Sequence, residues 1–319
     1  MSGPPENRPL EDRPLEDHPL EDRIAAGLER DMPEAVRAFA GMLAAETGAR
    51  AVLFYGSNLR TGSLDGVLDF YVLLPGAPES GIWPRVSYRE WIFEGTPLRA
   101  KIATMTLAKF RQAAAGALID TTIWARFVQP SALAFARDTD AAQDVAQAVA
   151  DASVTAARLA AVLGPECGSA EDYWAALFRA TYKAEFRVEK PGRERSILDA
   201  NAAHFDGLLP LALDRAGIAW QCVGAEYRID VPAAEQRRVR RWWSKRQRLG
   251  KALNLTRLVK ASTTFDGAAR YAAWKIERHT GVPVTITPWR EKHPVLAAPG
   301  VLFSVWRRRG RQSGSRSRG

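Results

Sequence analysis

Apolar residues recur at helical spacing between positions 24 and 47, where Ile24, Leu28, Met32, Val36, Phe39 and Leu43 fall on one face. Pro33 predicts a break there into two helices. The pattern then changes. Ala51-Val52-Leu53-Phe54-Tyr55 is a continuous apolar run closed by Gly56-Ser57, which predicts a short buried strand. A polar, glycine-containing stretch separates it from a second run, 67–74, closed by Pro75-Gly76. Two more strands are predicted at 86–93 and 98–105, around the turn signal Glu94-Gly95-Thr96-Pro97. Beyond Asp138 the spacing becomes helical: 141–163, 170–189, 196–215 and 235–260, with one short strand at 227–231. Glu171 and Asp172 suit the first turn of the second of these helices, and Pro191-Gly192 ends it. The chain is therefore expected to be α/β (α+β), with a mixed-sheet domain over 24–135 followed by a mainly helical domain over 136–305.

The flanks read differently. Residues 8–22 repeat a five-residue unit, ending His18-Pro19-Leu20-Glu21-Asp22. A proline in every unit opposes a helix, and one leucine per unit cannot build a core, so 1–23 is expected to be a disordered acidic arm. The Arg/Gly/Ser-rich segment 306–319 is expected to be a disordered basic tail.

Composition narrows the class. Of 319 residues 46% are hydrophobic, enough for a full core, which excludes a fibrous, wholly disordered or disulfide-scaffold protein. Cys167 and Cys222 are far apart, which fits a reducing compartment and gives no metal-binding spacing. The longest stretch free of Lys, Arg, Asp and Glu runs from 293 to 306, short of the ~20 apolar residues that a spanning helix needs. No secretory or transit signal is evident at the acidic N-terminus. The expected location is cytoplasmic, peripheral on the inner face of the cell membrane.

The net charge of +9 is concentrated in two patches, 237–260 and 307–319, neither of which contains an acid. Such patches point to a polyanionic partner. In 236–253, Val239, Trp242, Trp243, Leu249 and Leu253 recur at helical spacing among Arg237, Arg238, Arg240, Arg241, Lys245 and Arg248. That is the pattern of an interfacial helix with aromatic anchors on an anionic membrane. A core helix with solvated arginines, or a helix tracking a nucleic-acid backbone, has the same pattern.

The chemistry is concentrated at the end of the first strand. Tyr55-Gly56-Ser57 is followed by Asp69 inside the next strand. Glycine lets a backbone approach phosphate closely. Ser57 and nearby N–H groups suit phosphate oxygens. Asp69 suits Mg²⁺, which neutralises charge on a transferred phosphoryl group. Strand alternation aims Asp69 and Tyr71 at one face. Asp65 is a further candidate ligand, and Glu94 another.

This arrangement resembles the nucleotidyltransferases of the polymerase-beta-like superfamily, with Tyr71 standing where their second acid usually lies. More narrowly, the chain resembles the mitochondrial-type phosphatidate cytidylyltransferases, the peripheral CDP-diacylglycerol synthases, and looks like a bacterial member. The resemblance covers about residues 50–210. It rests on Tyr55-Gly56-Ser57, on Leu68-Asp69 in a strand, on Lys101 after a glycine turn, on Ala180-Thr181-Tyr182-Lys183-Ala184-Glu185-Phe186-Arg187, and on Asn201 with His204-Phe205. It implies a Mg²⁺-dependent reaction of CTP with phosphatidic acid to give CDP-diacylglycerol and pyrophosphate. Asp69 would hold the metal, with Asp65 as its candidate companion. Tyr55, Gly56 and Ser57 would meet CTP, and Lys101 the triphosphate or attacking phosphate. Lys183 and Arg187, one helical turn apart, would face the same polyanion. His204 is expected to pack rather than to ligate. Two other readings fit the same residues: a nucleotidyltransferase with another acceptor, such as a nucleic-acid end, sugar phosphate or protein, and a non-catalytic nucleic-acid-binding protein on this scaffold.

Overall fold

The computed structural model of the chain describes residues 18–81, 83–184, 193–264, 267–280, 283–292 and 300. Two helices open it, α1 (Pro19–Leu28) and α2 (Glu34–Thr47), broken at Pro33. α1 starts inside the segment expected to be a disordered arm. Pro19 lies in its first turn, where a missing N–H breaks no helical bond. Glu21 and Asp22 follow where the helix dipole favours acids. Leu20 is buried, and Glu21 pairs with Arg215 at 2.7 Å. The third repeat is thus a folded first turn; residues 1–17 of the expected arm, and the expected tail, lie outside the described residues.

β1 (Ala51–Tyr55) leads through a short helix, α3 (Ser57–Thr61), to β2 (Leu68–Leu74), its antiparallel neighbour. β3 (Arg85–Phe93) and β4 (Thr96–Thr106) form a hairpin at Glu94-Gly95, and β4 runs parallel to β2. α4 (Leu107–Ala114) and α5 (Thr122–Phe127) connect to β5 (Ser131–Ala136), antiparallel to β1. The order β3-β4-β2-β1-β5 gives the mixed sheet that the sequence predicts.

Alternation along the strands divides the core. Val52, Phe54, Phe70, Val72 and Ile102 face α2, which buries Val36, Phe39, Ala40 and Leu43 against them at three- and four-residue spacing. Leu53, Tyr55, Tyr71, Leu73, Ala103 and Met105 face the other way, toward α1, α4, α5 and the central helix α6 (Thr139–Leu163). Asp69 and Lys101 share the parity of this second face.

α6 is capped by the Asp138 side chain, which accepts from the Ala141 N–H at 2.7 Å. Its alanines 148, 152, 156 and 160 are buried, letting neighbouring helices approach closely. Among the described residues it alone is long and apolar enough to cross a membrane, yet 67% of its apolar window is buried inside the fold. It is the helix around which the larger cluster is built.

The remainder is helical, as expected, with one small sheet. β6 (Cys167–Gly168) precedes α7 (Ala170–Ala184). α8 (Arg193–Ala200), α9 (Ala202–Phe205) and α10 (Leu208–Ala216) replace the single predicted 196–215 helix. Asn201 and Gly207 interrupt it; Gly207 adopts φ 67°. β7 (Ala219–Val223) and β8 (Glu226–Asp230) pair antiparallel, with β6 beyond β8. β7 carries too little buried apolar sequence to announce itself. α11 (Ala233–Thr264), α12 (Ala268–Thr280) and α13 (Pro288–Lys292) complete the described chain.

α11 turns its tryptophans inward, the core-helix alternative for its basic amphipathic pattern. Trp243 is 4% exposed, and its ring lies 6.3 Å from that of the fully buried Trp124. Trp242 lies 5.8 Å from Trp124 and donates its indole N–H to the Gly116 carbonyl at 3.1 Å. Trp243 is buried and Trp242 half-buried, because the α4–α5 region offers them an apolar wall and an acceptor. Arg246 follows them inward: it stacks on Trp242 at 3.8 Å and donates to the carbonyls of Gly116 and Leu118. Arg237, Arg238, Arg240, Arg241, Lys245 and Arg248 stay exposed.

Candidate functional site

The C-terminal end of β1 and the middle of the chain meet at a cleft of about 710 Å³. Tyr55, Gly56, Ser57 and Asp69 form one wall. Register explains how. Tyr55 lies opposite Asp69 on β2, and Asp69 lies opposite Lys101 on β4, so residues far apart in sequence share three adjacent strands. Gly56 turns the chain at φ 93° and ψ −163°, a backbone state open essentially to glycine. A Cβ there would stand 3.2 Å from Asp69 Oδ2. The missing side chain therefore leaves space directly above the carboxylate.

Burial pushes the Asp69 carboxyl above the usual carboxylate range, opposed by the charges of Lys101 and then Arg126. Tyr55 is almost wholly buried, and burial raises its hydroxyl pKa too. Its ring packs against Tyr71 at 5.6 Å and Phe127 at 5.8 Å, while the Arg126 guanidinium lies 5.0 Å from the ring centre and hydrogen-bonds the hydroxyl. Tyr71 is 3% exposed within this aromatic group. The position where a second acid would stand is thus a core position, not a ligand.

Asn58 fixes the connection between Ser57 and β2. Its amide nitrogen donates to the carbonyls of Ser63 and Asp65, each at 2.8 Å. That holds the Asp65 backbone, while its side chain is exposed and does not line the cleft. The expected companion of Asp69 is therefore turned to solvent. Glu94 is likewise exposed, in the β3–β4 turn at φ 48°.

The opposite wall comes from the helical half. Thr181 and Tyr182 on α7, Ile197, Asp199 and Ala200 on α8, and Asn201 to His204 line it. Thr181, Tyr182, Asn201 and His204 belong to the two later sequence blocks, and the fold brings those blocks opposite Tyr55-Gly56-Ser57. Lys183 does not join them: it is exposed and outside the lining, because the next position along α7 points away. Arg187 lies outside the described residues.

Arginines that the sequence did not single out complete the cleft. Arg126 comes from α5, Arg60 from α3 and Arg30 from the segment after α1. Arg30 Nη2 lies 3.3 Å from His204 Nδ1, and His204 Nε2 lies 2.9 Å from the Val128 carbonyl. A carbonyl only accepts, so Nε2 carries the proton and Nδ1 accepts from Arg30. Burial, reinforced by the charges of Arg30 and Arg23 and opposed by the Val128 bond, lowers the His204 pKa to about 4. No local spacing marks these arginines; only packing gathers them.

The donor set suits a hard cation shared with phosphate, not a protein-only cage. Among the described residues no group of three or more His, Cys, Asp or Glu side chains converges. Mg²⁺ commonly takes one or two carboxylates and completes its shell with water and substrate phosphate. Asp69, with open space above it where Gly56 lacks a Cβ, fits that role. The guanidinium groups around it suit a polyanion.

No protein-family model matches the chain, and no curated protein matches it. Among solved structures the chain is similar to a nucleotidyltransferase-like protein from Exiguobacterium sibiricum, crystallised and solved at 1.90 Å. The two share 11% identity over 88% of this chain and 91% of that one, with a TM-score of 0.24. Similarity at that level carries no argument about activity.

Proposed function

We propose that this chain is a nucleotidyltransferase, and specifically that it joins CTP to phosphatidic acid, forming CDP-diacylglycerol and releasing pyrophosphate. One observation carries the nucleotidyl-transfer reading. The Asp69 carboxylate lies beneath the open backbone of Gly56, with Lys101 in register beside it and arginines around the cleft. The finer choice of substrates rests on the sequence resemblance.

Gly56 and Ser57 admit the triphosphate to the end of β1. Asp69 would hold Mg²⁺ together with the phosphates, and the ion would supply neutralisation of the charge on the transferred group and on pyrophosphate. The charges of Lys101 and Arg126 favour the ionised form of Asp69 and partly offset the effect of burial, which raises its pKa. A phosphate monoester is already largely ionised at neutral pH, so the acceptor needs little general-base help, and none of these residues has to take its proton. Positioning and charge neutralisation account for the rate. The exposed cations of α11 favour an anionic surface electrostatically.

The test incubates the full chain with labelled CTP, Mg²⁺ and vesicles containing phosphatidic acid. A labelled lipid is expected from the wild type and none from Asp69→Ala; equal product from both defeats the proposal. A second reading keeps CTP but takes a water-soluble phosphate acceptor. The burial of Trp243 and the partial burial of Trp242 favour it, since the rings that would anchor α11 in lipid pack against the fold. The same assay with glycerol 3-phosphate in place of vesicles separates the two.

A further inference from the structure

Arg30 has a setting unlike that of an ordinary surface arginine. Its Nε donates to the Gly27 carbonyl at 3.1 Å, and its Nη2 donates to His204 Nδ1 at 3.3 Å. Both partners are neutral. Among the described residues no carboxylate pairs with it, whereas Arg37, Arg50 and Arg215 each have one. It is nevertheless half-buried. A half-buried cation without a counter-ion is costly unless something of opposite charge visits it. The two neutral bonds fix its orientation without cancelling its charge. They leave the Nη1 hydrogens and one Nη2 hydrogen available as a fork, the geometry that matches a phosphate or carboxylate.

Its place in the cleft adds a second observation. Arg30, Gln129, Ala203 and His204 border both the main cleft and a smaller recess of about 120 Å³. Ile24, Leu28 and Val149 line that recess, and none of Tyr55, Gly56, Ser57 or Asp69 does. Arg30 thus stands at the junction of the two spaces, on a border that the Asp69 wall does not reach.

We propose that Arg30, oriented by His204, binds the phosphate monoester of the second substrate, separately from the Asp69 wall that takes the nucleotide. The proposal rests on the nucleotidyl-transfer reading for the identity of that substrate, not for the existence of the anion site. In it, the acceptor's phosphate is gripped by the Arg30 fork, and the recess takes the group that adjoins the phosphate. His204 is a positioning residue: it holds the guanidinium and does not touch the reacting atoms.

Direct binding to the full chain tests this, with calorimetry of a short-chain phosphatidic acid below its micelle concentration, of glycerol 3-phosphate, and of CTP with Mg²⁺. Arg30→Gln is expected to weaken phosphate-monoester binding by about tenfold or more, the loss of a charge-assisted pair, and to leave CTP binding within about twofold. Arg30→Lys, which keeps the charge but not the fork, is expected to recover part of the loss. His204→Phe is expected to weaken the monoester by a smaller factor, again without moving CTP. Monoester binding unchanged in both Arg30 variants overturns the proposal, and so does an equal loss of CTP and monoester. If wild type binds the monoester through Arg30 but no CTP, the anion site stands and the nucleotidyl-transfer reading falls. Preference for the lipid over glycerol 3-phosphate identifies a lipid headgroup as the source of the phosphate.

Discussion

Asp69 illustrates a conflict between stability and chemistry. Burial raises its folded-state pKa above the unfolded value, with Lys101 and Arg126 only partly offsetting this. The native state then binds a proton more readily than the unfolded chain between those two values. Stability therefore falls as pH rises through that window, and the ionised carboxylate is a net cost at neutral pH. Asp69→Asn is expected to raise the melting temperature at pH 7 while abolishing turnover. The gain should disappear below roughly pH 3.9, the ordinary carboxylate value, where aspartate is neutral in both states. A lowered melting temperature at pH 7 would contradict this. His204 has the opposite sign. Its folded pKa is lowered to about 4 from 6.5, so the unfolded chain binds more protons between those values. Its share of stability is complete above pH 6.5 and is lost as pH falls toward 4, so unfolding free energy measured across that window should fall less steeply in His204→Phe. Gly56 carries a third residue-scale prediction. Gly56→Ala forces a side chain into φ 93° and against Asp69 Oδ2, at a cost of about 1–3 kcal/mol, and closes the space over the carboxylate. Chemical denaturation and CTP turnover should both register it.

Among the elements, the strands were legible because the physics that makes them is local. The apolar runs at 51–55 and 67–74 end in glycine or proline, and β1 and β2 follow them closely. The disordered-arm expectation failed at α1, and α11 was left between alternatives, because each local pattern had two physical outcomes. A proline-bearing repeat breaks a helix in its interior but starts one at its first turn, and only Leu20 docking on the core selected the second outcome. A basic helix with two tryptophans can dip into lipid or clamp onto its own protein. Trp124, Gly116 and Leu118, more than a hundred residues earlier, decided for the clamp. Trp243→Ala is accordingly expected to cost about 3–5 kcal/mol in urea denaturation, as for a buried core tryptophan. Arg246→Leu should also destabilise, because it removes the guanidinium donor from the Leu118 carbonyl and one of the two donors from the Gly116 carbonyl. An unchanged midpoint in either variant would put the ring or the guanidinium back on the surface.

Across the whole molecule, the expected boundary at 135/136 is not a gap in the core. One apolar cluster joins Leu20, Leu53, Tyr71, Phe127, Leu159, Trp174, Leu213 and Trp243. The cleft lies where the sheet half and the helical half face each other across it, so its geometry depends on both. A shared core predicts a single cooperative transition, with far-ultraviolet and tryptophan signals coincident on heating. Two separated transitions would show that the halves fold independently.

What the sequence by itself determined was the sheet face of the site. Tyr55, Gly56, Ser57 and Asp69 are placed by strand periodicity and a glycine stop, which act over a few residues. The tertiary structure alone decided the rest. It turned Asp65 and Lys183 to solvent, put Tyr71 in the core, and drew Arg30, Arg126 and His204 into one cleft. The reason is physical: whether a charged side chain faces a site or water depends on what packs against its element. For these residues the packing partners lie far away along the chain, where no local period reports them.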